Sequence, residues 1–254
     1  WDQLARQQAA LAQPVRGEDL RDPLRTVDPL GWLGDSIAGL EVLCLAAGGG
    51  KHSILYAASG ARVTVVDISG EMLALDRAVA EERSFDIRVV QGSMDNLSML
   101  APASFDVVIH PVSTCYVPDV EPVFRQVATV IRPGGISVSQ HKSPASLQAD
   151  TRLQGSSHYQ VREPYYRTGP LPSEEPRRLR EQGTLEFLHR WEQLIGGICR
   201  AGFVIEDLIE PMHAEPDAEP GSFGHRCQYV APYVRIKARR VAKLTDDNLG
   251  IKLV

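Results

Sequence analysis

The chain runs to 254 residues, of which 43% are apolar and 23% charged, enough for one large core or for one core with an insertion. Its formal net charge of −5 argues against nucleic acid as the main partner, because proteins that bind duplexes carry a basic surplus. No apolar run approaches the roughly 18 residues of a membrane span, and no secretory leader is visible.

The first 13 residues, WDQLARQQAALAQ, read as a polar helix that Pro14 ends. Residues 14–40 are mixed in character, with prolines at 14, 23 and 29. A regular rhythm begins at residue 41. EVLCLA (41–46) predicts a buried strand and KHSILYAAS (51–59) a helix closed by Gly60. ARVTVVD (61–67) predicts a second strand, and SGEMLALDRAVAEER (69–83) a helix with Ser69 as its N-cap. DIRVVQG (86–92) and FDVVIHP (105–111) are the third and fourth strands. DVEPVFRQVATVI (119–131) is a helix, RPGG (132–135) a turn and GISVSQHK (135–142) a fifth strand. Strands alternating with helices of this length form βαβ units around a parallel sheet. Their continuous apolar runs suit a sheet covered on both faces.

After Lys142 the rhythm breaks. Residues 143–183 are polar, rich in Ser, Pro, Tyr and Arg, and read as an insertion over the sheet. A loop of this length in a compact domain commonly serves as a lid or binding element. TLEFLHRWEQLIGGICRAG (184–202) places Leu185, Leu188, Trp191, Leu194, Ile195 and Ile198 at helical spacing. FVIEDLIE (203–210) and RCQYVAPYVRIKARR (226–240) are strands, the second with Pro232 marking an edge or a bulge. Residues 211–225 are a loop and 241–254 a tail. The expected organisation is an N-terminal segment (1–40) covering the site, a core (41–142), a lid (143–183), a helix and strands completing the sheet (184–240), and the tail.

The four cysteines, Cys44, Cys115, Cys199 and Cys227, form no CxxC pair and no zinc-like spacing. They are expected to be free thiols in a reducing cytoplasm, and no metal is expected.

VLCLAAGGGKHS (42–53) puts Gly48, Gly49 and Gly50 between a strand and a helix. Each glycine costs about 0.5–1 kcal/mol against alanine in a regular element, so bare backbone must serve a tight turn or a close ligand. Doubly wound sheets bind ligands beyond the carboxyl ends of their strands, at the switch point. Asp67 ends the second strand, 17 residues after Gly50. A carboxylate there can accept hydrogen bonds from both hydroxyls of a ribose. A dinucleotide or S-adenosylmethionine satisfies both features. Read against GxGxxG, the run G-G-G-K-H-S has Ser53 at the third glycine, so an NAD(P)-dependent oxidoreductase is the weaker alternative.

On a wider span, residues 41–142 resemble the class I S-adenosylmethionine-dependent methyltransferases, in the small-molecule branch similar to the ubiquinone/menaquinone methyltransferases. VLCLAAGGG keeps Gly48 and Gly50 of that family's first motif, with Ala46 at its first glycine and Cys44 in place of the usual acidic residue. VVDIS supplies Asp67, and VVQGSMDNL has Ser93 where an acidic residue often meets adenine. VIRPGGISV is close to the family's LxPGGxL pattern. The resemblance implies an α/β, Rossmann-like, doubly wound and mostly parallel seven-stranded sheet, with an antiparallel C-terminal hairpin over 203–209 and 226–237. It implies S-adenosyl-L-methionine as cofactor and S-adenosyl-L-homocysteine as product. The cofactor residues it implies are Ala46, Ala47, Gly48, Gly49, Gly50, Asp67, Ile68, Gly92, Ser93, Met94, His110 and Pro111. The implied reaction is in-line methyl transfer to a small-molecule acceptor. HPVSTCY lacks the NPPY-type motif of amino methyltransferases, which favours an oxygen, sulfur or carbon nucleophile. Cys44 and Ser93 keep open a second reading, a protein that binds the cofactor without turning it over. The expected partner is the acceptor alone, bound by a monomer or homodimer.

Where an acceptor must lose a proton, an imidazole is well matched near neutral pH. His110 ends the fourth strand and His141 the fifth, and both are candidate bases. The plainer alternative for each is a strand-end histidine that hydrogen-bonds within the fold. Tyr116, Tyr159, Tyr165, Tyr166 and His189 are candidate acceptor contacts, since aromatic groups with a polar tip suit a planar small molecule. Packing of the insertion onto the body is the alternative for them.

Overall fold

Seven strands form one sheet in the order β3-β2-β1-β4-β5-β7-β6. They are β1 Glu41–Leu45, β2 Arg62–Asp67, β3 Ile87–Gln91, β4 Phe105–His110, β5 Ile131–Lys142, β6 Phe203–Ile209 and β7 Tyr233–Arg240. The computed structural model describes residues 15–155, 158–173, 179, 180 and 183–241, together with Asp2 and Arg6. β1 to β5 pair in parallel, and β7 runs antiparallel to both β5 and β6. This is the mostly parallel sheet with an antiparallel hairpin that the sequence predicts. Among the described residues no helix is long and apolar enough to cross a membrane.

Alternate residues of each strand face opposite sides, and both sides are covered. On one, Val42, Cys44, Val63, Val65 and Ile109 pack with Leu24 of α1 (Pro23–Val27), Tyr56 of α2 (His52–Ala58) and Leu73 of α3 (Gly70–Arg83). On the other, Leu43, Leu45, Val108, Val234 and Ile236 pack with Phe124 and Val127 of α4 (Glu121–Val130), and with Leu194 and Ile198. Ser69 caps α3 as its sequence indicates, accepting the Met72 N–H at 3.1 Å.

Three elements differ from expectation. The RPGG turn does not interrupt β5: Phe105 pairs with Ile131 but Val107 pairs with Ile136, so the strand bulges around Gly134, whose φ is 83°. The helix expected from residue 184 begins only at Trp191, as a π-helical turn Glu192–Gly196. Residues 184–190 are not helical because distant partners hold their backbone. Leu171 N–H donates to Glu186 O, and Phe187 N–H to Cys115 O, each at 2.7 Å. Leu185, on the expected apolar stripe, is accordingly 65% exposed. The last strand begins after Pro232, where a missing N–H costs no ladder bond, and it lies inside the sheet rather than at its edge.

The described part of 143–183 carries α5 (Pro144–Gln148) and two isolated bridges, Ala149 with Val161 and Gln154 with His158. The π-helical turn leads into α6 (Gly197–Arg200), and α7 (Phe223–Arg226) ends the segment 211–225 expected to be a loop and takes in Arg226, the first residue of the expected strand. The polar helix over 1–13 lies outside the described residues except for Asp2 and Arg6, both helical. The tail lies outside them except for Val241.

Candidate active site

The chain leaves β1 through Ala46, which takes a left-handed conformation at φ 49°. Gly49 and Gly50 follow at φ 122° and 73°. The bareness of this loop is required first by α3. A Cβ on Gly48 would lie 2.9 Å from Met72 Cβ and 3.1 Å from Asp67 Oδ2, and one on Gly50 would lie 3.1 Å from the Leu75 carbonyl oxygen. Asp67, at the end of β2, holds the loop directly. Its Oδ2 accepts the Gly48 N–H at 3.0 Å and its Oδ1 the Ser69 N–H at 2.9 Å. Burial raises its pKa against the pull of these N–H groups.

Sequence reasoning missed Asp76. This fully buried α3 residue accepts the Gly49 N–H at Oδ2, at 2.8 Å, and the Ser53 hydroxyl at Oδ1. Burial pushes its pKa up to about 6. A signal was available: Asp76 stands on a stripe of Met72, Leu73, Val79 and Ala80, and a carboxylate on an apolar stripe needs internal donors.

The carboxyl ends of β4 and β5 carry a histidine network on the α4 side. His110 Nε2 lies 2.7 Å from Ser113 Oγ. His141 has both ring nitrogens engaged, Nδ1 with Thr114 Oγ1 at 2.8 Å and Nε2 with Ser139 Oγ at 2.9 Å. The two rings stand 6.5 Å apart, edge to face. Burial pushes their pKa values down to about 4 and about 3, so both are neutral at pH 7. His141 is wholly buried, and its lone pair is committed within the fold, which is the geometry of an internal strut. His189 is also pinned: its Nε2–H donates to Thr114 O at 2.9 Å and Val117 O at 3.0 Å.

The candidate acceptor contacts separate into three places. Tyr116 sits with His189 by the turn after β4, its ring 5.6 Å from Lys142 Nζ. Tyr165 accepts the Trp191 N–H at 3.2 Å, and its neighbour Tyr166 is 76% exposed under Arg190. Tyr159 is drawn away to His225, 2.9 Å from its hydroxyl, and to Tyr229. A cavity instead opens on the α2 side, beside Ile109, His110 and Pro111 at the end of β4. Val138 and Gln140 of β5 and Arg235 of β7 line it, with His52 and Tyr56 of α2. Val27, Asp28, Trp32 and Leu33 close it, and the Trp32 indole N–H donates to Asp207 of β6 at 2.9 Å. The aromatic residues of the cavity are thus Trp32 and Tyr56, which sequence reasoning did not single out.

Residues 43–139 match the family model described as a methyltransferase domain. Uncharacterized methyltransferase YbaJ of Bacillus subtilis (strain 168) is 38% identical over 212 residues, covering 82% of this chain and 82% of that protein. The chain belongs to the methyltransferase family. Ubiquinone biosynthesis O-methyltransferase of Aeromonas salmonicida (strain A449) is 34% identical over 118 residues, 44% of this methyltransferase and 50% of that one, so the match spans half of that relative. An S-adenosylmethionine dependent methyltransferase of Mesorhizobium loti superposes with a TM-score of 0.67 at 22% identity, covering 87% of this chain and 100% of that one. At that identity the likeness is one of fold.

In this methyltransferase the insertion after β5 is fastened by charge. Lys142, the last residue of β5, is buried with its Nζ 3.0 Å from Glu186 Oε1 and 2.7 Å from Leu179 O. Arg180 Nε lies 3.0 Å from Glu186 Oε2. Arg226 of α7, fully buried, donates to Asp150 O at 2.8 Å and Ser146 O at 2.9 Å. Leu147, Leu171 and Leu188 form a small apolar cluster beneath. Among the described residues no group of three His, Cys, Asp or Glu side chains could hold a metal ion.

Proposed function

We propose that this methyltransferase uses S-adenosylmethionine to methylate an oxygen, sulfur or carbon atom of a small-molecule acceptor by in-line displacement. The observation that carries the reading is the meeting of the glycine loop with Asp67 at the carboxyl ends of β1 and β2. The residues present fit the cofactor. Each Asp67 oxygen accepts one backbone N–H and keeps a second acceptor direction for a ribose hydroxyl. Ile68, 60% exposed, offers an apolar face for adenine, and Gly92, Ser93 and Met94 follow β3 next to it, with Gly92 N–H on Asp67 O at 2.9 Å. Ala46, Ala47 and the three glycines bring short side chains and bare backbone to the methionyl part, and His110 and Pro111 end β4 beyond them.

The cofactor supplies a methyl group already activated on a sulfonium. The chain's part is to align the acceptor and exclude water, and good alignment can supply about 7–11 kcal/mol of a barrier. The segment Val27–Leu33 closes the cavity from the N-terminal side, while the described residues of the insertion expected as the lid, 143–183, do not line it. His110 lines the cavity with Ser113 orienting its ring; with its pKa pushed down to about 4 by burial it is a weak base, able to take the proton only of an acidic acceptor. His141 and His189 position the turn that carries Ser113. A sequence with four cysteines and no CxxC pair supports a place in a reducing cytoplasm.

Calorimetric titration of the whole chain tests the reading. S-adenosylmethionine is expected to bind, and Asp67→Ala to weaken binding by about tenfold or more, since hydrogen bonds to a charged group are worth about 1.5–3 kcal/mol. No binding at millimolar cofactor, or a folded Asp67→Ala protein that binds like the parent, refutes it.

A further inference from the structure

Arg235 is the cationic residue of the cavity, and methyl transfer itself does not require it. It lies on β7 opposite Gln140 of β5, and its Nε and Nη2 donate to Gln140 Oε1 at 3.2 and 3.0 Å. A neutral amide does not balance a guanidinium. Farther along β7, Lys237 lies 3.2 Å from Glu206, which Arg239 also reaches, while Arg240 donates to the backbone carbonyls of Ala128 and Gly202 and lies over the Phe203 ring, away from the cavity. Among the described residues no carboxylate comes within ion-pair distance of Arg235.

None of the other titratable groups of the cavity forms an ion pair with it. Asp28 engages each oxygen within its own turn, accepting the N–H of Trp32 at 3.0 Å and of Leu33 at 2.7 Å. His52 is kept uncharged, its pKa pushed down to about 4 by burial first, and then by Lys51 and Arg235. The cavity therefore has a positive end on β7, an aromatic wall of Trp32 and Tyr56, and an opening at the end of β4. A half-buried guanidinium has lost part of its hydration and gains most from an anion, which its planar fork grips through two parallel hydrogen bonds.

We propose that Arg235 binds a carboxylate or phosphate group of the methyl acceptor, so that the acceptor is a small organic anion whose body lies against Trp32 and Tyr56. The proposal rests on the methyltransferase reading above, in which this cavity receives the acceptor. The methionyl carboxylate of the cofactor is chemically the same group, and the test separates the two sources.

The whole chain is titrated with S-adenosylhomocysteine, then saturated with it and titrated with benzoate, phenyl phosphate and benzamide. At least one of the two anions is expected to bind about tenfold or more tightly than benzamide, the difference a charge-assisted pair makes. Arg235→Gln is expected to abolish that preference and Arg235→Lys to keep part of it, with the affinity for S-adenosylhomocysteine equal in all three proteins. Anions and amide binding alike, none of the three binding, or a preference that survives in Arg235→Gln overturns the proposal. A loss of S-adenosylhomocysteine affinity in Arg235→Gln gives the guanidinium to the cofactor and overturns it as well. If the parent chain fails to bind S-adenosylhomocysteine, the cofactor reading falls and the acceptor site falls with it. That result is distinct from cofactor product bound and anions ignored. Circular dichroism of each variant reports its fold, and the Lys variant carries the test if the Gln variant unfolds.

Discussion

Ala46 holds a left-handed conformation that costs an L-residue about 1–2 kcal/mol. Glycine there would relieve it but lose about 0.5–1 kcal/mol to the entropy of the unfolded chain. Ala46→Gly is therefore expected to change stability by less than about 1 kcal/mol. Gly48→Ala is not equivalent, because its new Cβ would meet Met72 Cβ at 2.9 Å and push α3 off the loop, costing about 1–3 kcal/mol. Urea unfolding of the two variants measures the contrast, and equal losses would contradict the packing of loop on helix. Asp67 was legible in the sequence because a carboxylate closing a strand next to a glycine loop has few other uses. Asp76 was not, because its partners, Gly49 and Ser53, lie 27 and 23 residues away and meet it only once α3 has closed. His141 could be placed at a strand end, but the two hydroxyls that occupy its ring come from Ser139 and Thr114, and spacing does not reveal them.

Glu186 sits at the centre of the ionic cluster that fastens the insertion after β5. Glu186 meets Lys142 on one oxygen and Arg180 on the other, with its own side chain 1% exposed. Removing one partner of a buried ionic cluster leaves its cations uncompensated, at a cost of about 3–5 kcal/mol. Glu186→Ala is expected to lose about that much stability and to admit protease within 143–183 before the sheet unfolds. Limited proteolysis followed by mass spectrometry reads the site of cleavage, and cuts distributed over the whole chain would contradict the role. β1 to β4 were legible almost to the residue because each is a short apolar run between turn residues. Residues 184–190 were not, since Leu185 and Leu188 fit a helical stripe while the backbone bonds to Cys115 and Leu171 are set by tertiary contacts. The run before Pro232 misled for the same reason. Arg226 ends α7, Cys227 caps it and a turn follows, so the ladder starts only at Tyr233.

For the whole molecule, the neutral histidines set the response to acid. His110 and His141 titrate near 4 and 3 when folded and near 6.5 when unfolded. The unfolded chain then binds more protons below about pH 6.5, so stability falls as pH drops toward 4. His52, half-buried with a pKa of about 4, acts in the same direction. Asp76 acts oppositely: folded it keeps its proton to about pH 6, unfolded only to about 4, so its contribution improves on acidification. His189, its pKa lowered by burial, acts with the other histidines, and Asp67, its pKa raised by burial, acts with Asp76. With four groups against two, stability at pH 5 is expected to lie below that at pH 7 by a few kcal/mol, each wholly buried histidine contributing about 2. Urea midpoints at the two pH values measure this, and equal midpoints would contradict it. The class of sheet was legible from the strand–helix rhythm, whereas the seating of β7 between β5 and β6 depends on pairing that no local pattern encodes. That seating bears on biosynthesis. Both neighbours of β7 leave the ribosome before it does, each with a row of backbone donors and acceptors open to other chains. The nascent protein must keep that gap from being filled by a stranger until its own closing strand emerges, and a pause that leaves β6 outside the ribosome and β7 inside it would expose the gap for longest.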